Sequence, residues 1–183
     1  MASVEPMTVL QSTLELLRAR LEAALQVAAP SGEPWVKLTN PVGQDGQVAV
    51  GARDKIVMTL VGLETDTSVT SRPPAHPTAA PFNVNISLLF IANFTDSNYP
   101  TGLDMLAHVV SFFHATPVFT RALLPGLADG IENFQLEFVN LDLAQTHRLT
   151  AMLGIRYLPM ALYKLRTLPF GSNAATPRRR PPG

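Results

Sequence analysis

The sequence contains no cysteine among its 183 residues. A disulfide framework and a thiolate metal site are therefore both excluded. The hydrophobic content of 46% lies in the ordinary globular range, and the length is sufficient for one domain with a substantial core. The composition therefore predicts a single compact domain followed by a tail.

The chain also lacks net charge, because its 14 basic and 14 acidic residues cancel. No overall field attracts it to nucleic acid or to an anionic membrane. The three arginines at Arg178 to Arg180 are too few for strong binding, which usually engages about six or more phosphates. A long apolar run and a signal peptide are also missing. We expect synthesis in the cytoplasm, with no nucleic-acid partner and no membrane insertion.

Catalytic signatures are missing as well. The sequence has no GxSxG, HExxH, Walker A or GxGxxG pattern. Its four histidines do not form a metal or catalytic set by spacing, and the acidic residues show no paired arrangement. These histidines are His76, His108, His114 and His147. We therefore predict no enzymatic activity, no metal and no cofactor.

Two segments show helical periodicity. Residues 8–28 carry leucines at steps of three and four, which predicts a helix with one apolar stripe. Pro100 and Thr101 suit the start of a second helix that ends before Pro117. Its stripe is predicted to comprise Leu103, Leu106, Ala107, Val110 and Phe113.

Two other segments are rich in β-branched residues. Residues 55–64 are apolar on both faces, which predicts a central strand covered on both sides. Residues 82–94 alternate apolar with polar at first, with Asn83, Asn85 and Ser87 on one face, and become apolar on both faces from Leu89. We therefore expect this strand to run from a half-covered region into a fully covered one.

The C-terminal third continues the mixed pattern. A strand is predicted within 131–142, where an early slip in the alternation indicates a bulge or a later strand start. A helix is predicted from a cap at Asp142 to Gly154, and a last strand over 157–168. Pro159 suggests that this last strand is an edge strand or contains a bulge. The predicted fold is α+β, with a mixed sheet of about four to six strands packed by an N-terminal helix and two further helices.

Two segments are too polar and Pro-rich for the core. Residues 65–81 contain four prolines at 73, 74, 77 and 81, which predicts a long exposed loop. Residues 171–183 have no apolar content to offset the entropy of ordering, which predicts a disordered Arg/Pro-rich tail. The predicted organisation is a domain over 1–170 and a tail over 171–183.

The ordered series of motifs resembles a known family. It comprises "KIVMTLVGLE", "VNISLLFIANF", "NYPTGL", "VVSFFHATPVFT", "LPGL" and "FQLEFVNLDLAQTHRLTAMLGIRYLPMALYKLRTL". In this order the motifs are similar to the cap, or tail-terminator, family of extracellular contractile injection systems, which are phage-tail-like particles. The resemblance extends from the first helix to about Leu168 and implies a tail-terminator-like fold.

The resemblance implies a structural role. A protein of this family forms a six-fold ring that terminates the inner tube and anchors the last sheath ring. The implied partners are further copies of the chain, the inner tube protein and the sheath protein, in a particle that acts inside the producing cell or after release on lysis. The candidate subunit, tube or sheath contacts are Asn83, Asn85, Arg72, Tyr99, Tyr163, Lys164 and Arg166. An edge strand at 157–168 could also add to a neighbour's sheet.

Two other classes remain open from the residues alone. One is an enzyme of mixed α and β fold that binds a small molecule or peptide in a deep pocket. The other is a small adaptor that presents the Pro-rich loop as a polyproline ligand, although in "RPPAHP" the PxxP core at 74–77 has its basic flank only partly in place. Oligomeric state distinguishes them, because only the terminator requires a closed ring.

Overall fold

The computed structural model describes residues 9–66, 82–129 and 131–170. In chain order this part contains α1 (Val9–Ala28), β1 (Val36–Leu38), β2 (Lys55–Thr65), β3 (Phe82–Asn93), α2 (Tyr99–Ala115), β4 (Val118–Thr120), β5 (Asn133–Val139), α3 (Leu143–Leu153) and β6 (Met160–Phe170). The strands form one sheet in the order β1-β2-β3-β6-β5-β4. Only β1 and β2 pair in parallel, so the predicted α+β fold with a mixed sheet is confirmed.

The front face of the sheet is covered by α1 and α2. The leucine stripe of α1 is buried as predicted, with Leu14, Leu17, Leu21 and Leu25 in the main core. These side chains pack with alternate residues of β2 and β3, such as Ile56 and Phe90. The spacing of three and four places all the leucines on one side of the helix, and burial of this stripe attaches α1 to the sheet.

The predicted buried face of α2 is right for Phe113 and Leu106, which pack in the core, and wrong for the other three residues of the stripe. The helix buries Gly102, Met105, Val109 and Phe113, whereas Leu103 is 42% exposed and Ala107 and Val110 are also exposed. A Cβ on Gly102 would lie 2.8 Å from the Phe94 ring, so the glycine allows a close approach that a larger residue would prevent. Because α2 is apolar around most of its circumference, periodicity alone does not determine which face packs.

The back face of the sheet is only partly covered. A second apolar cluster contains Val57, Leu89 and Ile91, and α3 packs against it through Leu149 and Leu153. The cover extends over the first half of β2 and the second half of β3, as the shift in the pattern of 82–94 predicts. Near its end the prediction for β2 is wrong. Leu60 and Val61 are only partly buried, and Leu63, which lies opposite Ile86 on the front face, is 53% exposed.

The last strand is not at an edge. β6 lies between β3 and β5, so the predicted edge position of 157–168 is wrong. Pro159 precedes the strand, and its carbonyl accepts a hydrogen bond from the Ala92 amide at 2.9 Å. A proline at this position needs no strand partner for its nitrogen. The strand has a register shift opposite Asn85, between Leu165 and Leu168, which is far from Pro159 and so is not the bulge that the proline suggested.

The capping signals of α3 are confirmed. The Asp142 carboxylate accepts a hydrogen bond from the Gln145 amide at 2.7 Å, and the Gln145 side chain accepts one from the Asp142 amide at 2.9 Å. Gly154 ends the helix with a φ of 65°. Within 131–142 the strand β5 begins only at Asn133, so the slip in the alternation reflects the predicted later strand start. The short strand β4 was not predicted.

Candidate contact surface

A band of polar side chains crosses the back face of the sheet where α3 does not cover it. We call it the polar strip and define it as Glu64, Asn83, Asn85, Ser87, Glu137, Lys164 and Arg166. The pairing register places Asn85 opposite Glu64, Ser87 opposite Lys164, and Lys164 opposite Glu137. Because side chains alternate between the faces of a strand, these residues point away from α1 and α2.

Two ion pairs cross the polar strip. The Lys164 ammonium lies 2.5 Å from the Glu64 carboxylate, so this pair connects β6 to β2 across β3. The Arg166 Nε donates to the Glu137 carboxylate at 2.7 Å, which connects β6 to β5. All four side chains are partly exposed, and such pairs contribute only about 0–1 kcal/mol to stability. Their charges are therefore available to interact with a partner.

Asn85 is the buried member of the polar strip. The residue is 6% exposed, and its Oδ1 has no hydrogen-bond partner in the described part of the chain. An unpaired buried acceptor costs about 1–3 kcal/mol. Its neighbours Gly62 and Ser87 are small residues. They lie side by side, because a Cβ on Gly62 would be 3.7 Å from the Ser87 Cβ. A partner could thus approach the sheet closely at this point.

Four of the seven predicted contact residues lie together on this surface: Asn83, Asn85, Lys164 and Arg166. Tyr99 is exposed at the start of α2, on a different element. Arg72, the predicted tail and residues 67–81 of the predicted loop lie outside the described residues, whereas Thr65 is the last residue of β2. The role of these residues in contacts stays a prediction.

Tyr163 lies inside the domain. It is 3% exposed, and its ring centroid lies 4.8 Å from that of Phe113 and 5.4 Å from that of Phe138. Burial raises the pKa of the Tyr163 hydroxyl to about 12. In the isolated chain this side chain therefore belongs to the core, where it packs β6 against α2.

Sequence reasoning missed the acidic half of the polar strip. Glu64 and Glu137 pair with Lys164 and Arg166 but are far from them in sequence. Glu137 alternates with Leu136 and Phe138, which predicts its face but not its partner. The pairings depend on the strand order, and the strand order could not be read from local spacing.

The described residues do not assemble a metal centre. Among residues 9–66, 82–129 and 131–170, no three histidine, aspartate or glutamate side chains are close enough together to hold a metal ion. His108, His114 and His147 are exposed on α2 and α3. Within the same ranges, no helix combines the length and apolar content needed to cross a bilayer.

Comparison with known proteins supports the fold. The family model described as the Pvc16 N-terminal domain matches residues 9–182. The PVC sheath/tube terminator of an extracellular contractile injection system, in its extended state, has a TM-score of 0.55 at 16% identity, covering 98% of this chain and 64% of that chain. This likeness confirms the predicted tail-terminator-like fold.

A second solved structure is more distant. The tube-terminating cap of the anti-feeding prophage has a TM-score of 0.49 at 14% identity, covering 88% of this chain and 53% of that chain. This chain thus spans less than two thirds of the length of either solved protein. No curated protein matches the sequence.

Proposed function

Because this chain belongs to the Pvc16 N-terminal domain family, we propose that it is a structural cap of a contractile injection system. In this role it forms a ring that terminates the inner tube and anchors the last sheath ring to it. The observation that carries the proposal is the likeness of fold to a sheath/tube terminator, which extends over 98% of this chain.

The ring is a homohexamer with head-to-tail contacts. Such contacts use two different surfaces of each subunit and close when the rotation between subunits fits. The polar strip supports this arrangement, because it combines exposed charges of both signs with a buried amide oxygen that lacks a partner. We assign Asn83, Asn85, Lys164 and Arg166 to contacts with a neighbouring subunit, the tube or the sheath, and Tyr99 and Arg72 to further contacts.

The cap acts without catalysis, cofactor or nucleic acid. It is made in the cytoplasm and becomes part of a particle that acts inside the cell or after release on lysis. Residues 1–170 form the cap domain, and residues 171–183 are a tail outside it. The proposal that the cap has no catalytic role is supported by the lack of catalytic motifs in the sequence.

Mass measurement by light scattering and negative-stain imaging test the proposal directly. The purified chain is examined alone and after co-expression with the tube protein of its particle. We expect six-fold rings, free or on tube ends, and tubes of uniform length. A chain that stays monomeric and never associates with tube ends at high concentration would contradict the cap and favour a small adaptor.

A further inference from the structure

A cavity lies on the front face of the sheet, between α2 and β5. The helix packs over β2, β3 and β6, and β5 is the next strand outward. We call the space between them the front cavity. It has a volume of about 600 Å³, and its apolar wall comprises Val110, Phe113, Pro117, Leu136 and Phe138. Ligand-binding cavities of proteins are ordinarily of this size and are lined mainly by apolar side chains.

Two apolar side chains on the wall of the front cavity are left in contact with water. Phe138 is 52% exposed and Val110 is 36% exposed, although Phe134 and Leu136 on the same side of β5 are buried. Phe138 lies on the strand and Val110 on the helix. A molecule placed between them would remove both from water, which is favourable in proportion to the apolar area that it covers.

The hydroxyl of Tyr163 is the polar group within this apolar wall. Tyr163 is 3% exposed and lines the front cavity, and its hydroxyl forms no hydrogen bond with any described residue. In the described part of the chain, the side-chain oxygens that are fully buried and unpaired are those of Thr13 and Asn85. The unpaired Tyr163 hydroxyl is thus not fully sealed, and the front cavity is where it meets solvent.

This hydroxyl is available as a donor. Burial raises the pKa of the Tyr163 hydroxyl to about 12, so it keeps its proton at neutral pH. A largely buried donor without a partner is unfavourable, and an acceptor on a bound molecule would satisfy it. The cavity therefore combines a large apolar wall with one donor that lacks a partner.

No charged side chain of the sheet faces the front cavity. Gln135 and Glu137 also line it, but they occupy the alternate positions of β5, whose side chains face the back. The Glu137 carboxylate pairs there with Arg166. His114, the polar residue that α2 contributes, is exposed in the last turn of the helix. These surroundings favour an uncharged ligand.

We propose that the front cavity binds a small, uncharged, apolar molecule that carries one hydrogen-bond acceptor, such as an aryl ketone. Its apolar body packs between Val110 and Phe138, and its acceptor receives the hydrogen bond of the Tyr163 hydroxyl. Even a tryptophan side chain would fill only part of the volume, so a free molecule fits better than one residue of a partner. The inference goes beyond the cap proposal, because the site lies within one chain.

Two probe molecules of the same shape test the proposal on the full chain. Acetophenone carries a carbonyl oxygen, and α-methylstyrene carries a methylene group in its place. Each is titrated into the protein, and NMR spectra of the methyl groups give the dissociation constant and the position of binding. We expect both probes to bind and to shift the methyl signals of Val110 and Leu136 most, because these residues line the cavity. If neither probe shifts these signals, the proposal is overturned.

Tyr163→Phe removes the hydroxyl and keeps the ring. We expect this change to weaken acetophenone binding about fivefold, the effect of one ordinary hydrogen bond, and to leave α-methylstyrene binding unchanged. Tyr157→Phe is the matched control, since Tyr157 is 70% exposed and does not line the front cavity, and it should affect neither probe. An equal loss for both probes in Tyr163→Phe, or no loss for acetophenone, contradicts the assigned hydrogen bond and overturns the proposal.

Thermal unfolding shows whether the hydroxyl already has a partner in the chain. Tyr163→Phe should unfold close to wild type, because no described residue bonds with the hydroxyl. A clear loss of stability would indicate an internal partner and overturns the proposal.

Val110→Trp tests the apolar wall without changing the hydroxyl. Val110 lies at the surface of α2, so a larger side chain can extend across the opening of the cavity. We expect this variant to weaken both probes about tenfold. Val27→Trp is its control, because Val27 is 84% exposed on α1 and lies outside the cavity. Probe binding that Val110→Trp does not weaken places the probes elsewhere and overturns the proposal.

A side chain of a second copy is the competing occupant. If the Val110 and Leu136 methyl signals shift without a probe as the protein concentration rises, and acetophenone binds more weakly at high protein concentration, the cavity is an interface between copies and the proposal is overturned. The same affinity at low and high protein concentration supports the free ligand. Failure of ring formation contradicts only the cap, because the probes are titrated into the chain in any oligomeric state.

Discussion

At the residue scale, Asp54 connects the segment before β2 to the end of β3. Its carboxylate accepts hydrogen bonds from both the amide and the hydroxyl of Thr95, each at 2.9 Å. The amide of Thr95 is the main reason that the pKa of Asp54 lies below its ordinary value of 3.8. A lowered pKa means that the ionised form stabilises the folded chain. This contribution is complete above the unfolded pKa and is lost as the pH falls through the folded pKa.

We therefore expect Asp54→Asn to unfold more easily than wild type at neutral pH and to differ less from it in acid. The free energy of unfolding in urea is measured for both proteins from neutral pH down to about pH 3, below the ordinary pKa of an aspartate. Asparagine keeps the left-handed backbone at this position favourable, so the comparison isolates the charge. A difference that stays constant with pH would show that the carboxylate charge is not involved.

Gly102 sets the distance between α2 and Phe94. Replacement by alanine would normally favour a helix by about 1 kcal/mol. Here the added Cβ would lie 2.8 Å from the Phe94 ring, which is itself buried. We expect Gly102→Ala to lower the free energy of unfolding by about 1–3 kcal/mol, because the helix must shift. Gly32→Ala is the control, since nothing lies within 4 Å of its Cβ position, and it should change stability little. Equal stability of the two variants would mean that the contact relaxes easily.

At the element scale, the sequence predicts what depends on local pattern. The ends of α3 follow from Asp142 and Gly154, and the buried face of α1 follows from a single leucine stripe. The buried face of α2 does not follow from local pattern, because the helix has two apolar faces and only one of them, which contains Gly102, fits against Phe94. The interior position of β6 and the ion pairs of the polar strip depend on strand pairing between residues about thirty to a hundred apart. Three of the seven residues of the polar strip, Asn83, Asn85 and Ser87, were predictable from alternation along one strand.

The orientation of α2 can be tested with two adjacent valines. Val109 is fully buried and Val110 is exposed, so the same change at the two positions should have different effects. We expect Val109→Ala to lower the free energy of unfolding by about 1–3 kcal/mol and Val110→Ala to change it by less than about 0.5 kcal/mol. Urea denaturation of both variants measures this. A larger loss of stability for Val110→Ala than for Val109→Ala would instead support the buried face predicted from the stripe that includes Leu103 and Val110.

At the scale of the whole molecule, β5 carries the polar strip on one face and packing residues on the other. Glu137 belongs to the polar strip, and the next residue, Phe138, lies beside Tyr163 on the front face. Since their side chains point to opposite faces of the sheet, a charged contact on the back face does not change the packing of the front core. The polar strip can therefore be altered without disturbing the core that holds α2.

The contribution of the polar strip to capping can be separated from stability by reversing one ion pair. Glu64→Lys with Lys164→Glu keeps an attractive pair within the chain but exchanges its charges on the surface. Stability should stay within about 0.5 kcal/mol of wild type, because the pair is partly exposed. A partner matched to the original charges would meet like charges, which cost up to several kcal/mol. We therefore expect the fraction of capped tube ends in negative-stain images to fall about tenfold or more.

The matched control reverses the Arg18–Glu15 pair of α1, whose side chains are exposed to a similar degree and which lies outside the polar strip. This control should cap tubes as wild type does, since the ion pair is kept and no proposed contact is changed. If both reversed pairs cap tubes normally, the ring does not use the charges of the polar strip and its contacts must lie elsewhere. If both fail, the loss follows from charge reversal in general, and only a defect confined to the Glu64 and Lys164 pair assigns the contact to this face.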